Sequence, residues 1–425
     1  GPHGDYCPAD PIYVLEWLKC TYGAEAWVDT AEVPTGEERA RSLPGFVRDP
    51  KTDARAIDYD LAFSDMTVDN ILRWSRIVKK ETGGRCLTGV FYGYLTWQTG
   101  LTNAVAPNGH LALRRLLDSP DVDFFTAFPS YNVREPGQAA HILLPVESIQ
   151  AAGKLVFDEC DNRTHLTQGT PQVRLHMARD QRDPVTGPQL WSGMWNLWPL
   201  ESEQAAVDVM RRDFAHHLIR GASYWWYEMD GGWYSPAILK DFTREGEIAR
   251  MAMEWDMSSV SEVAGFVCGV SPAYHSLFTM YDTDPQPPLV DLDCDMSTRE
   301  MYKAGAPIDW WMTEDLSRPE MKRYRALYFN IATMLDDSRL KGLESLKSDG
   351  RAMIFIGYPG LVSGGRLDAA AASRATGMRL RLSNTRDAAR LNIRNYNLPC
   401  LRELPAMAVL GSGAVISPRL IPDDP

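Results

Sequence analysis

The sequence has no CxxC pair, no HExxH run, no Gly-x-Ser-x-Gly elbow and no glycine-rich turn after any strand-like segment. These absences exclude zinc sites of the common spacings, zincin and serine-hydrolase chemistry, and phosphate cradles of the dinucleotide or P-loop kind. No cofactor is expected and no metal ligand set is visible. The seven cysteines (7, 20, 86, 160, 268, 294 and 400) are odd in number and scattered. A chain of this length does not need disulfide staples, so they read as mostly reduced, which leans toward the cytoplasm. The longest apolar runs fall far short of the roughly 20 residues of a membrane span, so no membrane partner is expected. Positive charge is scarce, with 44 Lys and Arg against 56 Asp and Glu. The net charge of −12 argues against nucleic-acid partners, which want a basic face.

What is present is a 425-residue chain, 44% hydrophobic and 24% charged, with 13 Trp and 17 Tyr. That is enough for two or three domains. A short amphipathic helix with Val14, Leu15 and Leu18 on one face is expected near the start, then a polar, Pro-punctuated excursion over 23–60. A helix follows over 60–82, on the period of Ile71, Leu72, Trp74 and Ile77, and Gly83-Gly84 stop it. Strands are then expected at 87–92, 122–128, 154–157 and 222–227, alternating with helices at 109–117, 145–152, 203–220 and 236–253. Such alternation implies parallel βα units, and continuously apolar strands fit a sheet buried on both faces. Four units are countable where a (β/α)8 barrel has eight. A doubly wound sheet is the alternative. From about residue 258 a second α/β unit follows, with strands at 262–270, 305–312 and 351–356 and an apolar segment at 323–334. Beyond 385 the pattern weakens and the sequence ends without a closing element.

The densest chemistry follows the strand Lys154–Phe157: Asp158, Glu159, Asp161, Arg163 and His165. Acids at a strand end need pairing or hydration. Glu159 is placed to point into a barrel mouth, with Arg163 or His165 to hold it ionised. A surface ion-pair network is the bland alternative. The strand at 222–227 runs into Glu228, Asp230, Gly231, Gly232 and Trp233. Trp225, Trp226 and Trp233 offer a stacking surface for a sugar, and Glu228 is a rival carboxylate or a structural acid bonding the Gly-Gly loop. Tyr131 and Asn132 follow the second strand, and Tyr92, Tyr94 and Trp97 the first. Trp191, Trp195 and Trp198 have the spacing of helical packing. His216-His217 reads as a packed or surface pair, and Asn162-Arg163-Thr164 as a sequon in an improbable place.

The segments KLVFDECDNRTHL (154–166), YWWYEMDGGWY (224–234) and GVFYGY (89–94) together resemble family 42 glycoside hydrolases, clan-A (β/α)8 enzymes classed with β-galactosidases. The segments EVAGFVCGVSPAYH, AGAPIDWWMTEDL and MIFIGYPG resemble their flavodoxin-like trimerisation domain. The resemblance implies an α/β chain holding the C-terminal half of a TIM barrel (1–256, about strands five to eight), a flavodoxin-like domain (257–385) and a truncated C-terminal segment (386–425). With 154–157 as strand seven, Glu159 matches the nucleophile of a retaining exo-glycosidase. Tyr92, Tyr131, Asn132, Asp158, Asp161, Arg163, His165, Trp225, Trp226, Asp230 and Trp233 would then line the sugar site. The general-acid glutamate ends strand four, which would lie upstream of Gly1, so the sequence is expected to be a fragment inactive by itself. A carbohydrate substrate and homotrimers follow from the resemblance alone. Two other readings stay open: a non-catalytic carbohydrate-binding or assembly protein derived from such an enzyme, and a glutamine-amidotransferase-like domain. The last needs a Cys at a strand-to-helix elbow, and Cys268 lies inside an expected strand.

Overall fold

The structure is a computed structural model. It describes residues 10–23, 34, 38, 47–96, 105–106, 108–130, 133–139, 141–167, 199–228, 231–275, 297–385, 387–392, 399–402, 404–405, 409–416 and 418–423. Helix α1 (Asp10–Tyr22) buries Val14 and Leu18 against Tyr59 and Ala62 of α2 (Ala54–Thr82). The long helix begins six residues before the expected start, inside the supposed excursion. Its packed face carries Ile57, Ala62 and Val68, whereas Trp74 is 64% exposed. The apolar residues at 74 and 77 lie off the stripe that touches the core. Gly83, at φ +60°, ends the helix in the left-handed conformation that glycine adopts without a Cβ clash.

Four strands follow with helices between them: β1 (Gly89–Phe91), α3 (Leu113–Leu117), β2 (Phe124–Thr126), α4 (Val146–Ala151), β3 (Leu155–Cys160), α5 (Glu203–Ile219), β4 (Ser223–Trp226) and α6 (Pro236–Ala252). The strands are parallel in the order β1-β2-β3-β4, so every crossover moves one place in the same direction. Pleating sends alternate side chains to opposite faces. One face presents Val90, Phe125, Val156, Asp158, Tyr224 and Trp226 to the helices. There Phe125 and Val156 share a core with Val68 of α2, Leu113 of α3 and Ile149 of α4, and Trp226 stacks on Phe242 of α6 at 4.7 Å. The other face carries Phe91, Phe124, Leu155, Phe157, Glu159 and Trp225. It stays open, with Leu155 58% and Phe91 47% exposed. A doubly wound sheet would have helices on both faces; the described helices pack on one.

The second sheet is also parallel, in the order β6-β5-β7-β8. It comprises β5 (Val263–Val267), then after α7 (Ser297–Lys303) β6 (Ile308–Met312), β7 (Ala326–Asn330) and, after α8 (Asp337–Ser345), β8 (Ala352–Phe355). Phe266, Leu327 and Phe329 form a core with Leu343 of α8 on one side. Trp310, Met312 and Tyr328 belong to the core of the first sheet on the other. The hairpin β9 (Val362–Ser363) and β10 (Arg366–Leu367) turns on Gly364-Gly365, both at positive φ as a two-residue turn requires. Helix α9 (Ala369–Thr376) leads to β11 (Leu380–Ser383). Where the sequence pattern fades, the structure has β12 (Asp387–Asn392) paired antiparallel with β13 (Val409–Ile416). The last strand, β14 (Arg419–Pro422), pairs with β11. The expectation of no closing element is corrected by this pairing, which crosses the boundary expected at 385. A four-residue strand ending on proline has too short an alternation to read locally.

The two sheets are joined at the edge of β6. Trp310 donates its amide to Glu147 of α4 at 2.5 Å, and Met312 donates its own to Ser148 Oγ at 2.7 Å. Glu147 also pairs with Arg220 at 2.6 Å, and Arg220 reaches Asp309 at 3.2 Å, with both acids buried. Removing one member of a buried ion pair strands the other. Glu147→Ala should therefore lower unfolding stability by about 3–5 kcal/mol, and Glu147→Gln, which can still accept the Trp310 amide, by less. Urea unfolding of the three proteins measures this, and equal midpoints would refute the role given to Glu147.

Candidate functional site

The C-terminal ends of β2, β3 and β4 meet around two neighbouring acids with opposite surroundings. Asp158 faces the helices and is fully buried. Its Oδ1 accepts the Ala127 amide at 2.8 Å and its Oδ2 lies 3.1 Å from His217 Nε2 of α5. His217 Nδ1 is 2.7 Å from the Asp213 carbonyl, which can only accept, so Nδ1 carries a proton. Burial works against the charged ring, but the Asp158 carboxylate and the Asp213 carbonyl outweigh it and raise the imidazole above its ordinary 6.5. The pair clamps β3 to α5, and its surroundings favour the protonated ring.

Glu159 turns to the open face and is half-buried. Burial and the charge of Asp161 raise its carboxyl above the ordinary range, while Arg134 pulls it back. The expected cations are placed differently. Arg163 donates to the Asp161 carbonyl at 3.3 Å and lies 4.3 Å over the Trp233 ring, and His165 is half-buried with its Nδ1 unpartnered among the described residues. Arg134 is the residue that sequence reasoning missed. It bonds Asp161 Oδ1 at 2.5 Å, the Asp161 carbonyl at 3.0 Å and the Pro129 carbonyl at 2.7 Å. It thereby ties the loop after β2 to the loop after β3. Nothing local marks it, because its partner is 27 residues away.

On β4, Trp225 is the register partner of Glu159 and shares its face, packed on Phe157 at 4.8 Å. Trp226 turns to the helix side. Glu228 Oε2 accepts the Trp233 amide at 2.8 Å, across Gly231 and Gly232 at φ +76° and +77°. That is the structural arrangement weighed for it. Trp233 is 2% exposed, and its carbonyl accepts from Thr164 at 2.5 Å. Tyr92 is 1% exposed, with its hydroxyl accepting the Ala112 amide and its ring stacked on His110. The structure therefore gathers Glu159, Asp161, Arg163, Trp225, Glu228 and Trp233 near the strand ends. It turns Tyr92, Asp158 and Trp226 inward. Tyr131, Asn132 and Asp230, with Trp97, Trp191, Trp195 and Trp198, lie outside the described residues. Asn162 is 1% exposed and donates to Asp213 at 2.5 Å, which withholds the sequon in the folded state. Among the described residues no group of three or more His, Cys, Asp or Glu side chains is arranged to hold a metal, and no helix is long and apolar enough to cross a membrane.

No protein-family model and no curated protein matches the sequence. Solved structures share the fold, among them two beta-galactosidases. The Polyextremophilic beta-galactosidase of the Antarctic haloarchaeon Halorubrum lacusprofundi aligns at TM-score 0.54 and 13% identity, over 99% of this chain and 59% of its own. The beta-galactosidase of Bacillus circulans sp. alkalophilus aligns at TM-score 0.50 and 13% identity, over 92% of this chain and 56% of its own. The chain thus spans less than three fifths of either neighbour, and at such identity the likeness is one of fold.

The His217–Asp158 pair makes a pH-dependent contribution. Because the folded-state value of His217 is raised, its stabilisation is present below the ordinary 6.5 and disappears as pH rises through the folded value. His217→Ala should cost about 3–5 kcal/mol at pH 6, by stranding Asp158, and the part of that cost due to the ring's charge should shrink as pH rises. Urea midpoints across pH measure it; a pH-independent difference would refute the raised His217 value.

Proposed function

We propose that this chain is the nucleophile-bearing part of a retaining glycoside hydrolase of the β-galactosidase type. On this reading the first sheet is the second half of a (β/α)8 barrel, strands five to eight, and the second sheet is the flavodoxin-like module that would make homotrimers. The observation that carries the reading is Glu159. It ends a parallel strand on the face that helices leave open, beside Trp225, and no hydrogen bond to its carboxyl is made among the described residues. A glycosidase nucleophile must be open to an anomeric carbon and ionised when it attacks. Trp225 offers a flat apolar partner for a sugar's C–H face, and Arg163, lying over Trp233, supplies a polar group at the rim.

Retention needs a second carboxyl about 5–5.5 Å from the first. Asp161 is spent on Arg134 and Glu228 on the Trp233 amide. We therefore assign the acid/base carboxyl to the part of the β-galactosidase fold that this sequence does not span. Glu159 as nucleophile has a consequence that does not depend on that acid. A leaving group that needs no proton bypasses general acid catalysis, which is worth roughly 10²–10⁴-fold.

The test is a 2-deoxy-2-fluoro-β-galactoside with a dinitrophenolate leaving group, followed by peptide mass spectrometry. The expected result is a covalent sugar on the peptide holding Glu159, absent from Glu159→Gln. Because only the carboxylate attacks and its value is raised, labelling should be lost as pH is lowered, beginning above the ordinary 4.5. Label on Glu228 would move the nucleophile there. Sugar binding without any label would favour the alternative of a non-catalytic carbohydrate-binding or assembly protein.

A further inference from the structure

We propose that the chain carries a second ligand site, for a small organic cation, between α5, β4 and α6 on the helix side of the first sheet. A cavity of about 340 Å³ lies there, walled by Phe214 and Leu218 of α5, Tyr224 and Trp226 of β4, and Phe242 of α6. That is within the size range of small-molecule pockets. Its polar group is Glu245 of α6, 4% exposed. Glu245 Oε2 accepts from Tyr224 at 3.1 Å and from Trp226 Nε1 at 3.3 Å. Oε1 is buried and has no partner among the described residues.

A buried carboxylate wants a counter-ion, and the protein does not give this one its own. The cation that acts on it, Arg211, holds Asp241 with both oxygens, at 3.0 and 2.9 Å from its Nε. Burial pushes the Glu245 carboxyl up to about 7, the state of a group kept from water without a charge partner. An ammonium donating to Oε1 would satisfy both the orphan atom and the charge, and the aromatic walls would accommodate its apolar body and attract its charge.

The neighbouring residue keeps the space open. Gly246 sits in the middle of α6, where glycine is among the poorest helix formers. A Cβ built on it meets nothing within 4 Å, so no close backbone approach requires the glycine. It lines the cavity, and a side chain there would fill it. A chain of net charge −12 also attracts cations at long range. The site is separate from Glu159, which lies on the opposite face of the sheet, and does not rest on the glycosidase reading.

The test is titration of the full chain with 2-phenylethylammonium at about pH 8, above the Glu245 value, read by tryptophan fluorescence and calorimetry. Saturable one-to-one binding is expected, with neutral 2-phenylethanol and the Glu245→Gln protein each weaker by about tenfold or more, the worth of a charge-assisted hydrogen bond. Gly246→Leu should abolish binding while leaving the circular dichroism and melting temperature unchanged or improved. That variant keeps the question decidable if Glu245→Gln fails to fold. Binding that does not saturate, or that survives Gly246→Leu undiminished, overturns the proposal.

Discussion

Glu147 holds the two sheets in one body. An edge strand presents a row of unpaired amides, and β6 is an edge. Instead of a further strand, helix α4 lies against it, with Glu147 and Ser148 taking the amides of Trp310 and Met312. These donors are two residues apart on β6 and so point the same way, and two adjacent helical side chains suffice to meet them. The carboxylate could not remain buried with only an amide for company. Arg220 closes the network by pairing with Glu147 and Asp309 and donating to the Ile308 carbonyl. Arg323 and Tyr324 complete it on Asp309 from the second unit.

The position of this network matters for the site. Helix α4 runs directly into β3, and Arg220 directly precedes β4. The latch therefore fixes the start of the two strands whose far ends carry Glu159 and Glu228. At those far ends a second network does the corresponding work. Asp158 bonds the end of β2 through Ala127 and α5 through His217, and Arg134 bridges the loops after β2 and β3. Strand β3 is held at both ends by buried charge, and Glu159 is left as its acid without such a tether.

Much of this was legible in the sequence, and the limits have physical causes. Alternation of apolar strands with helices gave the parallel units in order, because each unit is local and its helix buries one stripe. The acids after residue 157 stood out because charge at a strand end is costly unless used. Strand alternation also assigns Asp158 and Glu159 to opposite faces, yet it cannot say which face the helices cover. The partners were hidden for a different reason. His217 lies 59 residues from Asp158 and Arg134 27 from Asp161, and no period or motif links such pairs. His216-His217 looked like an ordinary helical pair until the sheet brought an acid beneath one of them. Trp74 shows the converse: it fits a helical stripe, but the stripe that packs begins at Ile57 and leaves it in solvent.

The same β3 alternation explains why the two acids can differ in chemistry while differing by one position in sequence. Asp158 is completely buried, and the His217 ring and the Ala127 amide take the place of the water it lost. Glu159 lost less water but received less in return. The cation that acts on it, Arg134, is shared with Asp161, whose own charge opposes ionisation of Glu159. A carboxyl in that position is poised nearer to neutral pH than a surface glutamate and retains an unsatisfied capacity for a positive partner. On the proposed glycosidase reading, an electron-poor anomeric carbon, or the oxocarbenium-like charge of glycoside cleavage, would be such a partner. The feature that makes Glu159 costly in the unliganded fold is thus the feature that would make it useful to a sugar, whereas the satisfied Asp158 can only support it.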